Sequence, residues 1–132
     1  MTFLRRALLA FAVVWGACGL AIATVPRWIL VGWFSQVPYP DYTYVRICGV
    51  ASIGMAMLAV LVSRKLDDIW WWSWAFAFTC VLVAVITAMH ALLGPPPGSG
   101  SFLWWLFAGV SAVLAAGLML GMGRAGQEKP FA

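Results

Sequence analysis

Charge is what this chain has least of. Only 9% of its 132 residues are Asp, Glu, Lys or Arg, where an average soluble domain carries roughly a quarter. So few charges cannot cover a surface facing water, which excludes an ordinary soluble domain. Histidine occurs once, at His90, so neither a bis-histidine haem nor a multi-histidine metal site can be built within one chain. Cys18, Cys48 and Cys80 fall inside apolar runs without CxxC spacing, so no disulfide or metal framework is signalled. A Ser–His–Asp set, paired carboxylates within an apolar run and a phosphate-binding loop are also missing. These absences argue against an enzyme, against a bound cofactor and against an ion-coupled transporter working alone.

What is present is apolar: 64% of the residues are hydrophobic. They fall into four runs, residues 7–24, 47–63, 69–93 and 102–122, and all eight basic and four acidic residues lie outside them. A bilayer core about 30 Å thick needs roughly 20 helical residues, so each run can span. The second is short and extends towards Val45 or Arg64. The pattern predicts an all-α integral membrane protein, residues 1–132 forming a single domain of four transmembrane helices in a compact bundle. Arg5 and Arg6 ahead of the first run also fit the opening of a cleaved signal peptide. The length of the run, and the Thr24, Val25, Pro26, Arg27 and Trp28 that follow it, favour a retained span.

The basic residues set an orientation. If the helices alternate, Arg5, Arg6, Arg64, Lys65, Arg124 and Lys129 share one side, and Arg27 and Arg46 the other. The positive-inside rule then places both termini and the 64–68 turn in the cytoplasm, with the 26–45 segment and the 94–101 linker outside. The net charge of +4 follows from this bias and does not imply nucleic acid as a partner.

The stretch LDDIWWWSW places Asp67 and Asp68 directly before Trp70, Trp71, Trp72 and Trp74. An acid ahead of a helix can accept its free N–H groups, and tryptophan favours headgroup depth, where its apolar ring and polar N–H are both satisfied. At 100° per residue the four rings point around the helix, which suits an aromatic belt better than a quinone or lipid headgroup site. Trp104 and Trp105 open the fourth run in the same way. In the outer segment, Trp28, Ile29, Trp33 and Phe34 are too apolar for water. Residues 26–34 are expected to lie in the interface as a short helix with Pro26 in its first turn, or alternatively to form a lid over a cavity.

Small and weakly polar residues mark the faces on which membrane helices approach each other. Ala12, Gly16, Gly19 and Ala23 form such a stripe on the first helix. Cys48, Ser52, Ala56, Ala59 and Ser63 do so on the second, and Ala108, Ser111, Ala112 and Ala115 on the fourth. The third presents Thr79, Val83, Thr87 and His90. Gly117 and Gly121 stand in GxxxG spacing on a second face of the fourth helix and are candidates for contact with a partner. The ligand candidates are His90, Thr87, Arg46 and Trp33; interfacial anchoring competes with a ligand role at His90 and Arg46.

Gly16 and Gly19 in the first span, Pro26 and the aromatic segment after it, Arg46 and Gly49 opening the second span, and a short basic turn before the third together resemble the small DoxX-like bacterial membrane proteins. The similarity covers about residues 7–93 and lies in layout. It implies a four-helix bundle, sometimes associated with quinone or thiol-redox complexes. Pro95, Pro96, Pro97 and the tryptophan run depart from that family's pattern.

The expected function is that of a non-enzymatic accessory subunit of a larger membrane complex or a homo-oligomer, in contact with membrane lipids. The location expected is the bacterial cytoplasmic (inner) membrane, and abundant Ala, Gly and Trp with two Lys suggest a GC-rich bacterium. The alternative is a binder or carrier of a lipid or quinone within the bundle.

Overall fold

The structure, a computed structural model, describes residues 1–128; Lys129, counted above among the basic residues, lies outside the described residues. Four long apolar helices carry the four runs: α1 (Thr2–Thr24), α2 (Thr43–Arg64), α4 (Ser73–Leu93) and α5 (Phe102–Glu128). A short α3 (Leu66–Ile69) and a 3-10 turn (Trp70–Trp72) lead into α4. Local chemistry sets the ends. Val25 leaves helical geometry directly before Pro26, as a residue preceding proline tends to. α4 stops at Gly94, whose φ of 92° suits glycine, and Pro95 follows.

The helices pack as two hairpins. α1 lies along α2, α4 lies along α5, and α1 against α5 joins the two pairs; α2 and α4 scarcely touch. The closest approach is between α1 and α2. A Cβ at Gly19 would stand 2.6 Å from the Gly49 carbonyl oxygen, and one at Gly49 would stand 2.7 Å from the Ala23 nitrogen. Gly16 has more room, with Ala56 at 3.4 Å. Two glycines facing each other thus let the backbones come within a distance that any side chain would prevent.

The other small-residue stripes need adjustment. On α2 Cys48 is exposed and Gly49 buried, so the contact face is turned slightly from the expected one. On α5 Ala108, Ser111 and Ala115 are buried, whereas Ala112 is exposed. The hydroxyls do not bridge helices either. Ser52, Ser63, Thr79 and Thr87 donate to carbonyls of their own helices, at Cys48, Val60, Ala75 and Val83. Back-bonding of this kind hides a hydroxyl where no water is at hand.

The large buried side chains gather in one half of the molecule. Leu4, Leu8 and Phe11 of α1 are fully buried among Ala56, Ala59 and Val62 of α2, Phe76 and Cys80 of α4, and Leu118 and Met122 of α5. The Phe11 and Phe76 rings meet at 5.2 Å. This half also holds the chain ends. The Met1 amine pairs with Glu128 at 2.6 Å, the Arg5 Nε donates to the Ser63 carbonyl at 3.0 Å, and the Arg124 guanidinium sits 5.0 Å from the centre of the Phe3 ring. Met1, Glu128 and the α2–α3 turn therefore lie at one end.

Outward faces carry large apolar residues such as Val13, Leu61, Leu92 and Val113. In water such a surface would be one continuous adhesive patch. In lipid it costs nothing, and helix association then rests on close packing rather than on removing apolar area from water.

The tryptophan run adopts an arrangement that its even apolarity did not disclose. Trp70 is buried, with the end of its ring 3.6 Å from where a Cβ on Gly126 would stand. Trp71, Trp72 and Trp74 remain about half exposed. Asp67 and Asp68 stand within the first turn of α3 rather than ahead of it, and neither α3 nor α4 begins with a side-chain cap bond. In that position the acids favour the positive end of the helix dipole.

Candidate functional site

The half of the bundle away from the termini has no large buried core, and its interest lies in the segment between α1 and α2. Residues Trp28–Trp33 form a π-helical turn, in which Phe34 N–H reaches back five residues to the Ile29 carbonyl at 3.3 Å. Trp28 and Trp33, five apart, meet at a tilt with ring centres 5.0 Å apart, as that wider period brings them together. Both rings face outward, 60% and 65% exposed. The turn ends at Ser35, which takes the left-handed conformation with φ 51°.

Gln36 follows, and it is nearly fully buried. Its amide Nε2 donates to the carbonyls of Phe34 at 3.0 Å and Gly100 at 2.8 Å. Gly100 N–H in turn donates to the Ser35 carbonyl at 3.0 Å, and the Phe34 and Phe102 rings stack at 6.2 Å. The outer segment is thereby fastened to the linker before α5. Sequence reasoning missed Gln36. The available signal was a lone amide between apolar Phe34 and Val37, in a segment with many carbonyls to satisfy.

Asp41 anchors the start of α2. Its carboxylate accepts from the Thr43 hydroxyl at 2.8 Å and the Thr43 N–H at 3.0 Å. These two bonds, with a smaller contribution from the Arg46 charge, hold the Asp41 carboxyl below its ordinary value.

Between the π-helical turn and α2 lies an open hollow of about 580 Å³ whose walls include Thr24, Arg27, Trp28, Val31, Tyr42 and Arg46. A second hollow of about 570 Å³ shares Arg46 and continues along α2 past Ile47, Val50 and Ala51. Of the ligand candidates, Arg46 alone lines these hollows. Trp33 does not line them, and it is Trp28 and Arg27, not among the ligand candidates, that complete the wall. Thr87 and His90 sit on α4. The Thr87 hydroxyl is bonded to the Val83 carbonyl at 2.6 Å, and the His90 ring meets Trp104 edge-on at 4.3 Å. The Trp104 Nε1 is buried without a hydrogen-bond partner. The four candidates are therefore not gathered at one place.

Gly117 and Gly121 also separate. Gly121 is buried inside the bundle, where a Cβ would lie 3.0 Å from the Leu4 Cα, while Gly117 has nothing within 4 Å. The expected common outer face is corrected: Gly121 lets α1 approach α5 within the chain. The face of α5 opposite its buried side instead carries Gly109, Ala112, Ala116 and Gly123, all exposed.

Comparison with protein-family models, with curated proteins and with solved structures finds no match.

Proposed function

We propose that the chain is a multi-pass protein of the bacterial cytoplasmic membrane, with both termini in the cytoplasm, that serves as a non-enzymatic accessory subunit. It joins a larger membrane complex, or a second copy of itself, by helix packing. The observation that carries this reading is the outer face of α5. Gly109, Ala112, Ala116 and Gly123 recur at spacings of 3, 4 and 7, which at 100° per residue keeps them within one narrow stripe. A face meant only for lipid needs no small residues, whereas a face meant for another helix does. The six-to-two distribution of basic residues supports the orientation.

Large residues on this stripe test the reading without touching the fold, because a Cβ at Gly109 meets nothing within 4 Å. Gly109→Leu combined with Ala116→Leu should release the chain from its native-gel complex while leaving its thermal midpoint in detergent unchanged. Co-migration of that double variant with the complex, as for wild type, would sink the proposed contact.

A further inference from the structure

The end of the bundle away from the termini carries two cations that no carboxylate among the described residues contacts. At the termini end, Arg5 binds a helix carbonyl and Arg124 covers an aromatic ring. Arg27 and Arg46 have no such role. Among the described residues neither guanidinium has a carboxylate within 4 Å, and the ion pair that does form joins Met1 to Glu128 at the opposite end. Asp41 feels the Arg46 charge while hydrogen-bonded to Thr43, so this end holds two cations against one carboxylate that lies beyond ion-pair distance.

Arg46 stands where the two hollows meet. On one side Arg27, Trp28 and Tyr42 make a hollow with a cationic rim. On the other, Thr43, Ile47, Val50 and Ala51, all on α2, floor a shallow open channel that becomes apolar below Arg46. Ile47 and Val50 are 58% and 62% exposed, so the channel opens sideways to lipid. A ligand matching both hollows has an anion at headgroup depth and hydrocarbon directly below it. Guanidinium offers paired donors to a phosphate. A zwitterionic lipid carries its own cation beside that phosphate, so two unpaired arginines select for a net negative one.

We propose that this groove binds a phospholipid of net negative charge, its phosphodiester held by Arg27 and Arg46 and one acyl chain lying along Ile47 and Val50. Trp28 flanks the headgroup, with its indole N–H at the depth where tryptophan prefers to sit. The site lies on the outside of the α1–α2 hairpin, away from the α5 stripe, and stands or falls independently of the accessory-subunit reading.

The test uses the full chain, purified in mild detergent and mixed with equal amounts of phosphatidylglycerol and phosphatidylcholine of matched chains. Native mass spectrometry then counts the bound lipids. The anionic lipid should be retained over the zwitterionic one by roughly fivefold per arginine. Arg27→Gln with Arg46→Gln should bring the ratio close to one, while Arg64→Gln with Lys65→Gln, at the other end, should leave it unchanged. Equal retention of the two lipids by wild type overturns the proposal, as does a preference that survives the first double variant. If that variant does not fold, competition on the wild-type chain decides. Chain-free glycerophosphoglycerol at millimolar concentration should fail to displace the lipid, and displacement would show that the apolar channel takes no part.

Discussion

Single residues decide how closely α1 and α2 approach. Gly19 and Gly49 face each other with no space for a methyl group on either, so Gly19→Ala must push the helices apart, at a cost of about 1–3 kcal/mol. Gly16→Ala, with Ala56 at an ordinary distance, should be nearly neutral. Thermal unfolding in detergent separates the two, and equal midpoints would show that the crossing is elsewhere. The tryptophans divide in the same way. Trp70→Ala removes a buried ring and should cost about 3–5 kcal/mol, whereas Trp72→Ala, on an exposed ring, should leave the midpoint in detergent almost unaltered. The sequence shows that these rings belong near a boundary, but not which one turns inward. That depends on Gly126, more than fifty positions further along the chain. Asp41 adds a pH effect. Its folded pKa lies below the ordinary 3.8, so its stabilisation is present above that value and is lost as pH falls through the lower folded value. Amide protection factors in the first turn of α2 should therefore fall in acid, and Asp41→Asn, which keeps an acceptor but not the charge, should flatten that acid limb.

At the scale of elements, the outer segment and the linker act as one clasp through Gln36 and Gly100. Gln36→Ala removes both donations and leaves the part-buried Phe34 and Gly100 carbonyls without this donor, a loss of about 1–3 kcal/mol concentrated at this end. The expected result is faster proteolysis within residues 94–101 with the rest of the chain still protected; unchanged cleavage there would mean that the clasp does not restrain the linker. Elements were unevenly legible. The long helices follow from uninterrupted apolar runs bounded by charge, proline and glycine, and those signals are local. The break at Trp70–Trp72 leaves no such mark, because a 3-10 turn of tryptophans is as apolar as the helix it enters. The π-helical turn over Trp28–Trp33 is equally silent, as it differs from an α-helix only in hydrogen-bond register. Arg27 and Arg46, nineteen positions apart in the sequence, become neighbours of one hollow only once α1 and α2 are folded back on each other. GxxxG spacing alone points Gly121 away from the Ala108 face, but α5 must face both α4 and α1, and the second of these takes Gly121.

For the whole molecule, the joining of Met1 to Glu128 places the first and last described residues at one end, and the proposed orientation makes that end cytoplasmic. In a background with Cys48→Ala, a membrane-impermeant thiol reagent should label Ser99→Cys in intact cells and spare Gln127→Cys; the reverse result would invert every side assignment. The two-hairpin plan also bears on how the chain is made. Its tightest contact, Gly19 to Gly49, joins helices adjacent in the chain, so the first hairpin can close before α5 leaves the insertion machinery. Leu4 against Gly121 spans almost the whole length and can close only after the last span has left the insertion machinery. Until then Leu4, Leu8 and Phe11 have no α5 to cover them, and the half-made protein shows the surrounding lipid a face that the finished one hides. A quality-control protease that reads membrane helices sideways would thus have a definite interval in which to act, ending when Gly121 arrives.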